Sequence, residues 1–192
     1  MKKFVCSALV ALTVSSLAHA EGMYVGANVS PQTNGKLNFT DNGVTKEYSA
    51  AKKATPVGVF AGYELSPLWA LEAGYRGDTG STSFDLSPGY QLKERVSTAY
   101  LAARGTWQLS DSWSLFGKAG IGQGRMKVDI SGKGAPSSES VHKTGLYLSV
   151  GASYLISKDV ALQLELEHTD KIKQQGLTAT TDRFALGVRF GF

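Results

Sequence analysis

Eight times along this chain, side chains of one polarity recur at every second position, and no helical period intervenes between these segments. The last twelve residues show the pattern most cleanly. Phe184, Leu186, Val188, Phe190 and Phe192 fall on one side of an extended strand, and Arg183, Ala185, Gly187, Arg189 and Gly191 on the other. Successive side chains on a strand point to opposite faces. The segment therefore has one wholly apolar face, running to the terminal carboxylate, and one face of charges and small residues.

The other seven segments follow the same rule. Met23 to Ser30, Val57 to Leu65, Trp69 to Arg76 and Thr98 to Leu109 come first, followed by Trp113 to Gly122, Leu146 to Ile156 and Val160 to Glu167. Connections alternate in length. Those near 66–68, 110–112 and 157–159 are a few residues long. Those near 31–53, 78–95, 126–143 and 170–181 are long, polar and rich in Gly, Ser, Thr, Asn and Lys. Strands at hairpin spacing without intervening helices exclude an α/β fold and predict an antiparallel, all-β domain. Short turns at one end and long loops at the other are the layout of a barrel that crosses a membrane with strands.

The N-terminus adds a destination. Met1-Lys2-Lys3, an apolar run from Phe4 to Leu17 and the small-x-small end Ala18-His19-Ala20 read as a secretory signal peptide, with cleavage expected after Ala20 and the domain covering 21–192. A retained anchor fits less well, because the run contains Thr13, Ser15 and Ser16 and falls short of the roughly 20 apolar residues a spanning helix needs. Cys6, the single cysteine, lies inside the signal, so the mature chain is expected to carry no disulfide or thiol chemistry. The formal charge of +4 shrinks once Lys2 and Lys3 leave, and the remainder is spread through alternating strands, which does not point to nucleic acid.

An eight-stranded barrel could also be a soluble, lipocalin-like cup with its apolar face inside. The polar face argues against this. It carries Gly58, Gly62, Gly74, Gly120, Gly122, Gly151, Gly187 and Gly191. Glycine on a water-exposed strand weakens it without gain, whereas in a narrow lumen it leaves room for long side chains from the opposite wall. The same face holds Glu72, Arg104, Lys118, Glu165 and Arg189, all a few residues from the short turns, where opposite signs can pair across a lumen. Trp69, Trp107, Trp113, Tyr154, Phe190 and Phe192 also gather near the short turns, as in an interfacial girdle.

These features together resemble the small OmpA/OmpX-type outer-membrane barrels over essentially all of the chain after the signal. The resemblance implies an eight-stranded antiparallel transmembrane β-barrel in the outer membrane of a Gram-negative bacterium, with short periplasmic turns and long extracellular loops. It also implies that the C-terminal strand, with Phe190 and Phe192, is the signal read by the outer-membrane assembly machinery. The chain ends at Phe192 without the peptidoglycan-binding domain that follows the barrel in full-length OmpA, so tethering to the cell wall is not expected.

Little in the sequence points to catalysis. Gly120-Ile121-Gly122-Gln123-Gly124 looks like a phosphate-cradling loop, but no helix follows it and it sits in an alternating strand. Ser140 and His142 are two apart in a Ser-rich stretch, and His168 lies near the loop end of its strand; no carboxylate is evidently placed to orient either imidazole. No catalytic, cofactor-binding or metal-ligating residues are therefore assigned, and no cofactor is expected. Lys52, Lys53, Lys171 and Lys173, with Lys93, Arg95, Arg125, Lys127 and Lys143, concentrate at the long-loop rim, where lipopolysaccharide phosphates would meet them. The expected protein is a non-enzymatic monomer whose lumen is plugged by charged residues. Its partners are outer-membrane lipids, lipopolysaccharide and an extracellular or host ligand reached through the loops, in envelope integrity or adhesion. A lipid A-modifying enzyme is the rival from another class.

Overall fold

The computed structural model describes residues 22–30, 36–41, 44–49, 54–87, 90–131, 137–169, 172–174, 177–179 and 183–192. The expected signal peptide and its cleavage site at Ala20 lie outside the described residues.

Within them the strands are β1 (Met23–Val29), β2 (Lys36–Asp41), β3 (Val44–Ser49), β4 (Pro56–Glu64), β5 (Trp69–Asp78), β6 (Thr82–Ser87) and β7 (Tyr90–Gln108). They continue with β8 (Trp113–Ser131), β9 (Ser137–Ser157), β10 (Val160–Thr169), β11 (Ile172–Gln174), β12 (Leu177–Ala179) and β13 (Arg183–Gly191). Eight of these form a ring. In the order β1, β4, β5, β7, β8, β9, β10, β13, each pairs antiparallel with the next. β13 then pairs back on β1, with Tyr24 opposite Gly191 and Val29 opposite Leu186. Closure gives each of the eight strands a neighbour on both sides through the belt, which is the condition for strands to sit in hydrocarbon. The seam is finished by Phe192, whose amide donates to Met23 O at 2.9 Å and whose carbonyl accepts from Gly22 N at 3.2 Å.

Two of the tight turns share a device. Ser66 Oγ accepts from the amide of Trp69 at 3.1 Å, and Ser110 Oγ accepts from the amide of Trp113 at 3.2 Å. In both, a serine hydroxyl three residues before a tryptophan accepts from the amide that opens the next strand, and the Trp69 amide also donates to the Ser66 carbonyl at 3.2 Å. The turn fixes the register of the hairpin, and the tryptophan starts the next strand on the outer face.

The two faces separate as the alternation predicts. Outward lie Val59, Leu101, Leu115, Ile121, Val150, Leu162, Leu164, Leu166 and Leu186, all exposed. Inward lie Tyr24, Phe60, Tyr100, Phe116 and Tyr147 together with Glu72, Arg76, Arg104, Lys118, Glu165 and Glu167, all buried. A belt of exposed aliphatic side chains around a charged interior is the reverse of a soluble cup. It is ringed at the short-turn end by Trp69, Trp107, Trp113, Tyr154 and Phe190, and Tyr75 and Phe184 stand at its other end.

The stretches near 78–95, 126–143 and 170–181, expected as irregular loops, are partly strand. β7, β8 and β9 continue their pairing well past the belt, up to Gln91 opposite Ser131 and Ile130 opposite Ser137. β6 adds to the far end of β7. The hairpins β2–β3 and β11–β12 occupy two of the long connections. The backbone pairing persists there because the inner face stays filled: Leu92 and Met126 are buried where the outer face has turned polar.

Candidate functional site

The interior is assembled from residues an even number of positions apart along each strand. β5 contributes Glu72 and Arg76, β7 Tyr100 and Arg104, β8 Phe116 and Lys118, β9 Tyr147 and β10 Gln163, Glu165 and Glu167. Lys118 is the centre. Its ammonium lies 2.7 Å from Glu72 Oε1 and 2.9 Å from Glu165 Oε1, so one cation holds two carboxylates from different walls. Glu72 also accepts from the hydroxyls of Tyr24 at 3.0 Å and Tyr100 at 2.6 Å. Arg104 stands 3.5 Å from Glu72 and spreads its guanidinium over the Phe116 ring, 4.1 Å from the centroid. With its amide oxygen turned toward Arg104, Gln163 accepts from both terminal nitrogens at 3.0 and 3.1 Å.

A second tier lies toward the long loops. Arg76 pairs with Glu167, and the Tyr147 hydroxyl donates between Glu167 at 3.1 Å and Glu165 at 3.3 Å. Tyr147 stacks on Tyr100 with centroids 4.2 Å apart, tying the tiers together. Glu72, Glu165 and Glu167 are thus balanced by Arg76, Arg104 and Lys118, which is what a low-dielectric interior requires of buried charges. A cavity lined by Arg76, Thr98, Tyr100, Tyr147 and Glu167 has room on the order of one water.

Glycine makes this crowding possible. Tyr24 lies across Gly62, its cross-strand partner, and Tyr100 lies across Gly74. A Cβ on Gly74 would come 2.5 Å from the Tyr100 ring, displacing the hydroxyl that holds Glu72.

The sequence brought five of these charges under one heading, and the structure divides them. Glu72, Arg104, Lys118 and Glu165 meet. Arg189 stands apart at the short-turn end, paired with Glu64 and lying 4.2 Å over the Tyr24 ring. Tyr24, Arg76, Tyr100, Tyr147, Gln163 and Glu167 share the polar face of the alternation, and an expectation limited to charges within a few residues of the short turns misses them. Beyond the belt, burial pushes the carboxyls of Asp78 and Glu94 up, and for Glu94 the neighbouring Asp78 adds to the effect while Arg183 opposes it. Asp78 still accepts from the Val96 amide at 2.8 Å.

Of the rim lysines, Lys52, Lys53 and Lys171 lie outside the described residues, and of Lys173 only the backbone, in β11, is described. Ser140 and His142 point outward from β9, opposite Lys127 and Arg125, so cations face them across the ladder. His168 is outward on β10, opposite Leu148. Among the described residues no three His, Cys, Asp or Glu side chains converge as a metal site.

Residues 4–192 match the family described as outer membrane protein beta-barrel domain. The chain belongs to that family. Outer membrane protein P5 of Haemophilus influenzae is 25% identical over 185 residues, covering 88% of this chain and 51% of P5, so the chain spans about half the length of that curated relative. Among solved structures, the attachment invasion locus protein Ail of Yersinia pestis superposes with a TM-score of 0.57 at 18% identity, covering 90% of this chain and 99% of Ail. Ail in complex with the heparin analogue sucrose octasulfate gives 0.55 at 16% identity, over 90% and 99%. Likeness at that identity is a likeness of fold. This outer-membrane β-barrel protein accordingly resides in the outer membrane of a Gram-negative bacterium, and its short turns face the periplasm.

Proposed function

We propose that this outer membrane barrel is a non-catalytic, monomeric envelope protein whose lumen is plugged and whose activity lies on its long extracellular loops, in envelope integrity or attachment to a host surface. The observation that carries the reading is Lys118 bound between Glu72 and Glu165, with Arg104 and Phe116 beside it. A charge network that ties opposite walls together across a narrow lumen supports a path closed to ions. With the interior committed to packing, a partner has only the outer surface to meet. The name of Ail, an attachment invasion locus protein, supports attachment over a purely mechanical role. The lipid A-modifying alternative is disfavoured because Arg125 and Lys127, rather than a carboxylate, stand opposite His142 and Ser140. Lipopolysaccharide is the proposed lipid partner, with Lys52, Lys53, Lys171 and Lys173 as loop contacts.

Planar-bilayer recording tests the plug. The protein is expected to give no large, steady conductance, and a stable porin-sized pore would sink the reading. A deletion strain assayed for attachment, serum survival and permeability then separates adhesion from envelope integrity.

The C-terminal strand is proposed as the assembly signal. Phe192 closes the ring onto Met23 and Gly22 through its backbone, so its removal takes two hydrogen bonds from the seam as well as an aromatic from the apolar face. Deleting Phe192 is expected to lower the yield of heat-modifiable barrel in the outer membrane and increase periplasmic degradation. Unchanged yield and mobility would count against that role.

A further inference from the structure

Above the belt the ladder on one side of β7 is interrupted. It runs with β5 up to Gly77 opposite Ser97 and resumes with β6 at Thr82 opposite Glu94, so four residues, Asp78 to Ser81, stand against two, Val96 and Arg95. A side chain bridges the break. Asp78 Oδ2 accepts from the Val96 amide at 2.8 Å, in the place of a strand carbonyl. The interrupted segment is also tied to the residues before β4. The Thr79 amide and hydroxyl both donate to the Thr55 carbonyl, at 3.0 and 2.9 Å, and Thr82 Oγ accepts from the Ala54 amide at 3.4 Å.

Glu94 faces the same space. It lies two residues from Val96 on the inward phase of β7, which makes it a diagonal neighbour of Asp78 at roughly 7–8 Å between backbones, within reach of a long side chain. Arg183 enters from across the lumen, because β13 stands four places from β7 in either direction around the ring. It is the last residue of β13 paired with β10 and stands opposite Glu167, but Glu167 is taken by Arg76. Two carboxyls therefore meet one guanidinium, and all three groups are half-buried. Arg76 and Glu167 lie just below and offset each other. β9 brings Tyr147 and, higher, the exposed Lys143; β10 adds Thr169, β8 Gly124 and Met126, β1 Asn28 and Ser30, and β4 Gly58. Burial raises both carboxyls. The Val96 amide and Arg183 hold Asp78 down, whereas Asp78 pushes Glu94 further up against the pull of Arg183.

We propose that Asp78 and Glu94 hold one proton between them and, with Arg183 from the opposite wall, form a proton-dependent clasp across the upper lumen. With the proton on Glu94, its hydroxyl donates to Asp78, whose carboxylate keeps both the Val96 amide and Arg183, and the three charges sum to zero. Without the proton, one guanidinium faces two carboxylates in a half-buried space, and their repulsion pushes the break open. A carboxyl whose proton affinity is higher in the folded state stabilises most at low pH, and that contribution is lost as pH rises through its folded value. Asp78 and Arg183 each border a long connection, so the clasp holds the roots of two surface loops together and loosens toward alkaline pH.

The test uses the full barrel refolded in phosphatidylcholine vesicles. Amide hydrogen exchange is read on peptides spanning 79–97 between about pH 5 and 8 and divided by the intrinsic chemical rate. In the parent, the corrected exchange is expected to rise with pH on the order of tenfold, since each unit of raised proton affinity is worth a factor of ten in local opening. Glu94→Gln carries a permanently neutral donor and should hold the segment near the parent's low-pH rate throughout. Arg183→Gln removes the cation that favours ionisation, so the midpoint of the rise should move to higher pH. A Glu94 that only packs would, when changed, shift exchange equally at every pH and leave the slope in place, which would overturn the clasp. Flat exchange in the parent, or an unmoved midpoint in Arg183→Gln, would overturn it too. So would an equal slope in the belt segment Val160–Glu167, or loss of the slope in His142→Gln, because either outcome places the proton elsewhere.

Discussion

Lys118→Met is expected to unfold at a clearly lower denaturant concentration than the parent, by a difference on the order of 3–5 kcal/mol, the usual cost of stripping one partner from a buried ion pair. Lys118 is fully buried and binds two carboxylates, Glu72 at 2.7 Å and Glu165 at 2.9 Å. Methionine keeps the length of the side chain and removes the charge, so the loss is electrostatic rather than a cavity. Glu72 would retain Tyr24, Tyr100 and a longer contact to Arg104, and Glu165 would retain Tyr147. Two neighbouring carboxylates would then share too few positive charges. Arg104→Ala is expected to cost less electrostatically, because Arg104 stands 3.5 Å from Glu72 and is shared with Gln163 and the Phe116 ring. Adding Glu72→Gln to Lys118→Met should recover part of the loss, the signature of direct coupling in a double-mutant cycle. Lys158→Ala, at a turn where the side chain is 90% exposed, should leave the midpoint where it was. Urea titrations in vesicles, followed by tryptophan fluorescence and heat-modifiable mobility, give the comparison. Equal midpoints for Lys118→Met and the parent would mean that lumenal water, not the network, satisfies Glu72 and Glu165.

Where the membrane surrounds the chain, the sequence was legible because lipid enforces the alternation on every strand. Val160 to Glu167 could be assigned face by face, and the inward set Ala161, Gln163, Glu165 and Glu167 is buried as the period requires. Above the belt the phase continues but the polarities exchange. Along β7 the even residues point inward throughout; Arg104, Tyr100 and Thr98 lead to Leu92, while the outward series passes from Leu101 to Arg95. A reading that follows hydrophobic residues sees that exchange as the end of a strand, so hydrophobicity alone predicts loops where β7, β8 and β9 extend. Arg95, Arg125 and Lys127 were legible as rim cations, but only the register shows Arg95 opposite Lys127 with Arg125 on the diagonal. Pairing within the lumen was legible only as a set. Alternation put Arg189 on the same face as Glu72, but which acid it meets depends on the stagger of the strands, and that stagger sends it to Glu64.

Val150 tests the outer face as Lys118 tests the inner one. It lies four residues from Tyr154 in the short-turn girdle and four from Leu146 at the upper edge of the belt, and is 60% exposed on β9. It stands opposite Gly117 on β8 and Leu166 on β10. On a water-soluble barrel an arginine at so open a position would change stability little, since surface substitutions away from special contacts usually fall within about 0.5 kcal/mol. In the middle of a bilayer the guanidinium has neither water nor a carboxylate, and a lipid-facing arginine near the midplane costs roughly 2–4 kcal/mol in transmembrane barrels. Val150→Arg is therefore expected to unfold at lower urea than the parent in phosphatidylcholine vesicles and to insert less efficiently. Moving the arginine to Thr144, above the belt on the same strand, should cost much less, because headgroups and water reach it there. The depth dependence is the decisive part. If Val150→Arg and Thr144→Arg unfold alike, the aliphatic face of β9 does not sit at the depth that the girdle of Trp113 and Tyr154 assigns to it.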